Sequence, residues 1–318
     1  MPSTDRQYTA ATEGVALIDR SDRGKLAVSG PDGAAYLDSL LSNDVASVAP
    51  GGGIDATLLT HKGRMLAEVR VLATEDELLL DCERVALQAL FDALTQFRIG
   101  YTAQLHKRTL QRGLLSLIGP RCDELVARAP GEAEHAHVAT AVGEVPVRAI
   151  RTQLGLDLLC ESERTAELAD ALVVAGAVAI DEAVADAVRI EHGRPRFGVE
   201  IDETTMPQEA GLHERAVSYS KGCYIGQETV ARLYWRGKPN RLLRGLRLSA
   251  PAAPGAELRL DGDAVGALGS VTQSPRLGTI GLALVRREAQ PGAVLAVGAD
   301  GASATVVELP FEEIGSAH

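Results

Sequence analysis

At 318 residues the chain is long for one compact core and of a size for two or three cooperating units. Although 46% of it is hydrophobic, no uninterrupted apolar run approaches the roughly 20 residues of a bilayer helix, and Met1 to Arg6 lacks the basic and apolar segments of an export signal, which sets membrane and secreted classes aside. A formal net charge of -11 disfavours any polyanion meeting the average surface, nucleic acid above all.

The turn signal Gly30-Pro31-Asp32-Gly33 opens a helix over 31–41, with Ala34, Leu37, Leu40 and Leu41 at helical spacing. After Pro50-Gly51-Gly52-Gly53, strands at 54–59 and 65–72 joined through His61-Lys62-Gly63-Arg64 make a hairpin. A third strand at 77–82 precedes a helix over 83–97, with Leu87, Leu90, Phe91, Leu94 and Phe97 on one face. A second cycle follows, with a buried strand at 114–118, a helix at 120–129, strands at 145–150 and 156–159, and a helix at 162–175. Asp181 is placed to cap a helix reaching His192, where Gly193 and Pro195 stop it. His135 and His137 fall in an Ala- and Glu-rich loop and are expected in solvent. From about Leu242 the pattern turns to short runs at 242–248, 256–260, 266–271, 279–285 and 304–309, separated by signals such as Pro254-Gly255 and Pro291-Gly292. These predict an antiparallel barrel or sandwich, and an α+β fold for the whole.

Cys82, Cys122 and Cys160 each sit in an apolar strand or helix and read as small buried hydrophobes. Cys223 differs. It lies in Lys221-Gly222-Cys223-Tyr224-Ile225-Gly226-Gln227-Glu228, with a lysine two residues away and a prospective helix from Gly226 to Arg232 just after it. A cation and a helix N-terminus both favour the reactive thiolate, and the two glycines permit close approach of a ligand or positive φ. The scattered cysteines, with no C-x-x-C pair, fit a reducing, cytoplasmic compartment, and no histidine spacing suggests a metal. Charge is uneven: residues 189–247 carry 11 Lys/Arg against 7 Asp/Glu, and Arg232, Arg236, Lys238, Arg241, Arg244 and Arg247 follow one another with no acid between them. That run suits either a small polyanionic ligand or a solvated face.

The octapeptide, continued by Thr229-Val230-Ala231-Arg232, resembles the K-G-C-Y-x-G-Q-E-x-x-x-R motif of the YgfZ-type folate-binding proteins, within the superfamily of the glycine-cleavage aminomethyltransferase, or T-protein. Arg189-Ile190-Glu191-His192-Gly193-Arg194-Pro195 through Glu200 resembles the superfamily's R-x-E-x-G-x-P-x-x-G-x-E stretch. Asn43-Asp44-Val45 and Lys62-Gly63-Arg64-Met65 resemble its N-D-V and K-G-(K/R)-M elements.

The resemblance implies a three-domain, ring-like T-protein fold around a central opening that holds tetrahydrofolate or a one-carbon or polyglutamated derivative. Its α+β domains are expected at 1–50 with 112–236 and at 51–111, and its β-barrel at 237–318. It implies a pterin contact at Glu191, since a carboxylate accepts paired hydrogen bonds; a helix-end pairing of Glu191 with Arg189 or Arg194 is the alternative. Around it the resemblance places Arg189, Lys62, Lys221, Gly222, Tyr224, Gly226, Gln227, Glu228 and Arg232, with Cys223 as a redox or sulfur-handling thiol. One departure matters. The Asp pair that aminomethyltransferases carry after the first hairpin is missing, and 64–68 offers only Glu68. Its extra methylene moves the carboxyl by about an ångström, a misplacement that can cost roughly a hundredfold in rate. The implied function is a folate-binding accessory protein in iron-sulfur cluster assembly or repair, with iron-sulfur enzymes, tRNA-thiomethylating ones included, and assembly proteins as partners. Aminomethyl transfer or demethylation using Glu68 is the alternative. RNA binding through the arginine run is disfavoured by the acidity and the 3% aromatic content.

Overall fold

The computed structural model describes residues 2–299 and 301–311. The first stretch runs α1 (Thr4–Glu13), β1 (Ala16–Asp19), β2 (Gly24–Ser29), α2 (Gly33–Leu40), β3 (Gly53–Leu59), β4 (Met65–Ala73), β5 (Glu77–Cys82), α3 (Leu87–Gln96) and β6 (Gln104–Lys107). Next come β7 (Arg112–Ile118), β8 (His137–Val142), β9 (Val145–Thr152), β10 (Gly155–Glu161), α4 (Thr165–Val174), β11 (Val178–Ala179), α5 (Glu182–Glu191) and α6 (Gln227–Arg236). The last stretch is all strand: β12 (Arg241–Leu248), β13 (Glu257–Leu260), β14 (Asp263–Ala267), β15 (Ser270–Ser274), β16 (Gly278–Arg286), β17 (Val294–Val297) and β18 (Ala302–Val307).

Three sheets result. The first is antiparallel in the order β3-β4-β5-β2-β6. Its apolar face is covered by α2 and α3, whose Tyr36, Leu37, Leu90 and Leu94 are fully buried, each such leucine contributing about 1.5–3 kcal/mol by leaving water. The second runs β11-β1-β7-β10-β9-β8, antiparallel except for β1 with β11. Leu168 and Leu172 of α4 pack on one side of it, while Tyr8 and Ala11 of α1 and Val184 and Val188 of α5 pack with Ile18 and Ile118. In the third, β12-β18-β17-β13-β14-β16 closes into a six-stranded barrel because β12 pairs with both β18 and β16, and β15 hangs on the first half of β16.

Sheet membership departs from the expected split at 50/51 and 111/112. Leu26 and Val28 of β2 need the same apolar cover as β4 and β5, so β2 sits inside the first sheet. Residues 197–230 join it too, through Phe197, Ile201, Leu212, Val217, Tyr224 and Val230. The helix expected at 120–129 is only a one-turn 3-10 segment, Cys122–Leu125, because Ala127 N donates to Ala141 O and Arg128 N to Thr140 Oγ1, drawing the chain out beside β8. The run at 266–271 is a corner between two strands, where Leu268 N bonds Ala256 O and Gly269 N bonds Leu282 O. His135 and His137 are buried rather than in solvent. Among the described residues, no helix is long and apolar enough to cross a membrane.

Candidate functional site

Charge interrupts the apolar alternation of the first sheet along one row. Asp55 of β3 stands opposite Arg70 of β4, Arg70 opposite Asp81 of β5, and Asp81 opposite Lys25 of β2. Side chains alternate between faces, so Glu68, two residues before Arg70, shares this face. It looks into a cavity of about 640 Å³. Ser116 of β7 and Asp157 of β10 form a second wall, and Glu182, Ala185 and Arg189 of α5 a third. Nine carboxylates and seven arginines line the space.

The charges are ordered into pairs. Arg70 spans the two sheets, 2.8 Å from Asp81 Oδ2 and 2.6 Å from Asp157 Oδ2, and Ser116 Oγ donates to Asp157. Arg23 pairs with Asp81 at 2.9 Å and with Glu83. Arg215, from the loop before α6, pairs with Asp55 and lies 2.7 Å from Glu68 Oε1. Burial pushes the Asp55 carboxyl up, but contact with His135 and the Arg215 charge outweigh it and hold it well below the usual range. Asp81 is likewise held down, Arg23 and Arg70 outweighing its burial. For Glu68 burial wins over Arg215 and its carboxyl is raised. Among these three acids Glu68 is therefore best able to carry a proton into the cavity. Donor atoms of Asp55, Glu134 and His135 lie within 4.8 Å of one another, but Arg215 holds Asp55 and Arg194, 2.8 Å away, holds Glu134. Arg196 pairs with Glu182 at 2.8 Å on the same rim.

Residues 1–221 match the GCVT N-terminal domain, and residues 241–312 the glycine cleavage T-protein C-terminal barrel domain. The chain belongs to the glycine-cleavage T-protein family. It is 30% identical over 303 residues to an aminomethyltransferase of Mycobacterium tuberculosis, covering 90% of this chain and 81% of that one. A putative chloroplastic transferase of Arabidopsis thaliana is 28% identical over 319 residues, 96% of this chain and 73% of its own. The crystal structure of the glycine cleavage system aminomethyltransferase T from Bartonella henselae superposes with a TM-score of 0.87 at 22% identity, over 98% of this chain and 90% of that one, and so shares the T-protein fold.

Of the site residues named from the sequence, Glu68 and Arg189 line this cavity. Arg189 is also clamped, 2.8 Å from Asp186, 3.1 Å from Glu200 and donating to Ser270 Oγ. Glu191 does not reach the cavity. Two residues on from Arg189, it points about 200° round the helix, and its buried carboxylate accepts from Tyr8 Oη at 2.8 and 2.9 Å, from Ser274 Oγ and from Arg276 Nη2 at 3.3 Å. The octapeptide lies outside the cavity as well. Gly226, at φ +82, packs on the β3–β4 turn so closely that a Cβ would fall 2.5 Å from Thr60 O. Asp55, on the cavity wall, is five residues further along β3, roughly 16 Å at strand rise.

Lys221 is not the thiol's cation. Its buried ammonium caps the C-terminus of α2, donating to the carbonyls of Asp38, Leu41 and Asn43 and pairing with Asp38 Oδ1 at 3.0 Å. Burial lowers its pKa, with Asp38 opposing. Tyr224 is buried beneath it, and burial pushes that phenol up to about 12. Gly222, Cys223, Glu228, Arg232 and Lys62 are exposed and Gln227 is half-buried. Burial pushes the Cys82 and Cys122 thiols up to about 12, so Cys223 is the accessible one. Sequence reasoning passed over Asp55, Arg70, Asp157 and Arg215. Arg70 could have been found from its place two residues after Glu68, at period 2 within the strand Ala67-Glu68-Val69-Arg70-Val71; Arg215 reaches the site from a distant loop and leaves no local signal.

Proposed function

We propose that the chain is a YgfZ-type, tetrahydrofolate-binding member of the T-protein family that supports assembly or repair of iron-sulfur clusters in other cytoplasmic enzymes, tRNA-thiomethylating ones included. The observation that carries the folate reading is Glu68, presented to the central cavity by Arg215. The donor set fits. A volume of about 640 Å³ is in the range of small-molecule sites. A pterin presents paired N–H donors, which Glu68 and Asp157 can accept, and the glutamate tail of a folate suits Arg194 and Arg196. Tetrahydrofolate, when bound, supplies a carrier for one-carbon units; Arg215 orients the Glu68 carboxyl toward it. The iron-sulfur reading rests on the octapeptide and its exposed thiol. Because Cys223 is exposed and does not line the cavity, the role proposed for its thiol is toward other proteins rather than toward the folate.

Calorimetric titration with tetrahydrofolate is expected to give saturable binding that Glu68→Ala weakens and Glu191→Gln spares; absence of binding to the wild type overturns the reading. Replacing Cys223 by Ala is expected to abolish rescue of iron-sulfur enzyme activities in a strain lacking the gene, and full rescue removes the role given to the thiol. A second reading, folate-dependent aminomethyl transfer or demethylation with Glu68 as the acid, is favoured by that same carboxyl. Formation of methylenetetrahydrofolate, with release of ammonia and a thiol, from tetrahydrofolate and an S-aminomethyl thioether donor, or from a methylamine together with an added two-electron acceptor, abolished by Glu68→Gln, would decide for it.

A further inference from the structure

The outer side of α6 is a second surface, away from the cavity, that departs from the rest of this acidic molecule. It carries the chain's one tryptophan, Trp235, which is 69% exposed, beside Tyr234, which is 46% exposed. Tyr219 and Tyr234 stack with centroids 3.9 Å apart, and Trp235 meets Tyr234 edge-on at 4.8 Å. Exposed aromatics are thus held in a fixed arrangement. Arg232, Arg236 and Lys238 are exposed on the same segment, and among the described residues none of the three has an ion-pair partner. Some arginines elsewhere are paired, Arg121 with Glu124, Arg164 with Glu167 and Arg259 with Glu257, while Arg6, Arg84, Arg128 and Arg286 are exposed with no ion pair among the described residues; what sets α6 apart is that its unpaired cations lie beside exposed aromatic rings. Only Val230 of this helix is fully buried.

We propose that this face of α6 is a docking surface for an acidic, amphipathic segment of a partner protein, whose carboxylates meet Arg236 and Lys238 and whose apolar side chains cover Trp235. Tryptophan, tyrosine and arginine are the residues that most often dominate binding energy at protein interfaces, and unpaired cations in a molecule of net charge -11 select an anionic partner locally. A nucleic acid fits less well. Tyr219 and Tyr234 spend ring faces on each other, leaving little for base stacking, and the net charge repels a long polyanion. The surface is independent of the folate cavity.

The test uses the full chain with three probes: a short fluorescein-labelled Glu- and Leu-rich peptide, its counterpart with every Glu changed to Lys, and a uridine oligonucleotide of matching length. The acidic peptide is expected to bind saturably, to change the emission of Trp235 and to dissociate as salt is raised. Arg236→Glu with Lys238→Glu is expected to weaken it roughly tenfold or more, with circular dichroism and tetrahydrofolate titration unchanged; Trp235→Ala, followed by anisotropy, is expected to weaken it as well. Equal binding of the basic peptide, no binding up to solubility, or tighter binding of the oligonucleotide overturns the proposal.

Discussion

Glu191 is held by donors from α1, from the end of β15 and from the turn that follows it, so one carboxylate joins parts of the chain that are distant in sequence. Glu191→Ala leaves the Tyr8 and Ser274 hydroxyls without their acceptor and is expected to cost about 3–5 kcal/mol in urea unfolding; a loss no greater than that of a surface Glu→Ala would show the network to be dispensable. The two glycines of the octapeptide separate cleanly. Gly226→Ala forces a side chain into positive φ and against Thr60 O, and is expected to cost about 1–3 kcal/mol. Gly222→Ala meets nothing within 4 Å and is expected to be near neutral by the same measurement. Acid sensitivity also belongs to single residues. Asp55, depressed below its ordinary 3.8, contributes stability that is complete above that value and is lost as the pH falls through its lower folded value. Glu68, raised, acts oppositely: it costs stability at neutral pH and the cost vanishes in acid. Unfolding free energy should therefore drop below about pH 4, and Asp55→Asn should flatten the drop; an unchanged slope would assign it elsewhere.

Among the elements, β4 has the largest task, because Arg70 fastens the first sheet to β10 of the second. A double-mutant cycle of Arg70→Ala and Asp157→Ala is expected to show coupling of about 1–3 kcal/mol; additive losses would mean the sheets are held by packing alone. Elements with strong local signals were legible. The strand at 77–82, the hairpin and α5 all carry their periodicity and stop residues in sequence. Weakly patterned ones were not. The buried residues of α1 are Gln7, Tyr8, Ala10 and Ala11, which draw no apolar stripe, and β17 has only four residues. At 120–129 long-range hydrogen bonds to β8 overrode a helical reading. The same limit applies to the site: Glu68 could be reached by motif, whereas its partner Arg215 is 147 residues away and meets it only through the fold.

At the scale of the whole molecule, the cavity exists only where two sheets and α5 converge, so its contents report on all three. A ligand that binds only the folded chain stabilises it by about 2.7 kcal/mol at a hundred times its Kd, and tetrahydrofolate is expected to raise the melting temperature accordingly. A rise that persists undiminished in Glu68→Ala would move the folate elsewhere.

The return of residues 197–230 to the first sheet also bears on how the chain is made. The last strand of that sheet ends at Lys107, yet Leu212, Tyr224 and Val230, which complete its core, are synthesised only after the entire second sheet. At roughly 5–20 residues per second the nascent chain carries an open apolar surface for several seconds. Ribosome-arrested chains ending before Phe197 should therefore remain protease-sensitive between β2 and β6, and protection there should arrive abruptly once Val230 has cleared the exit tunnel.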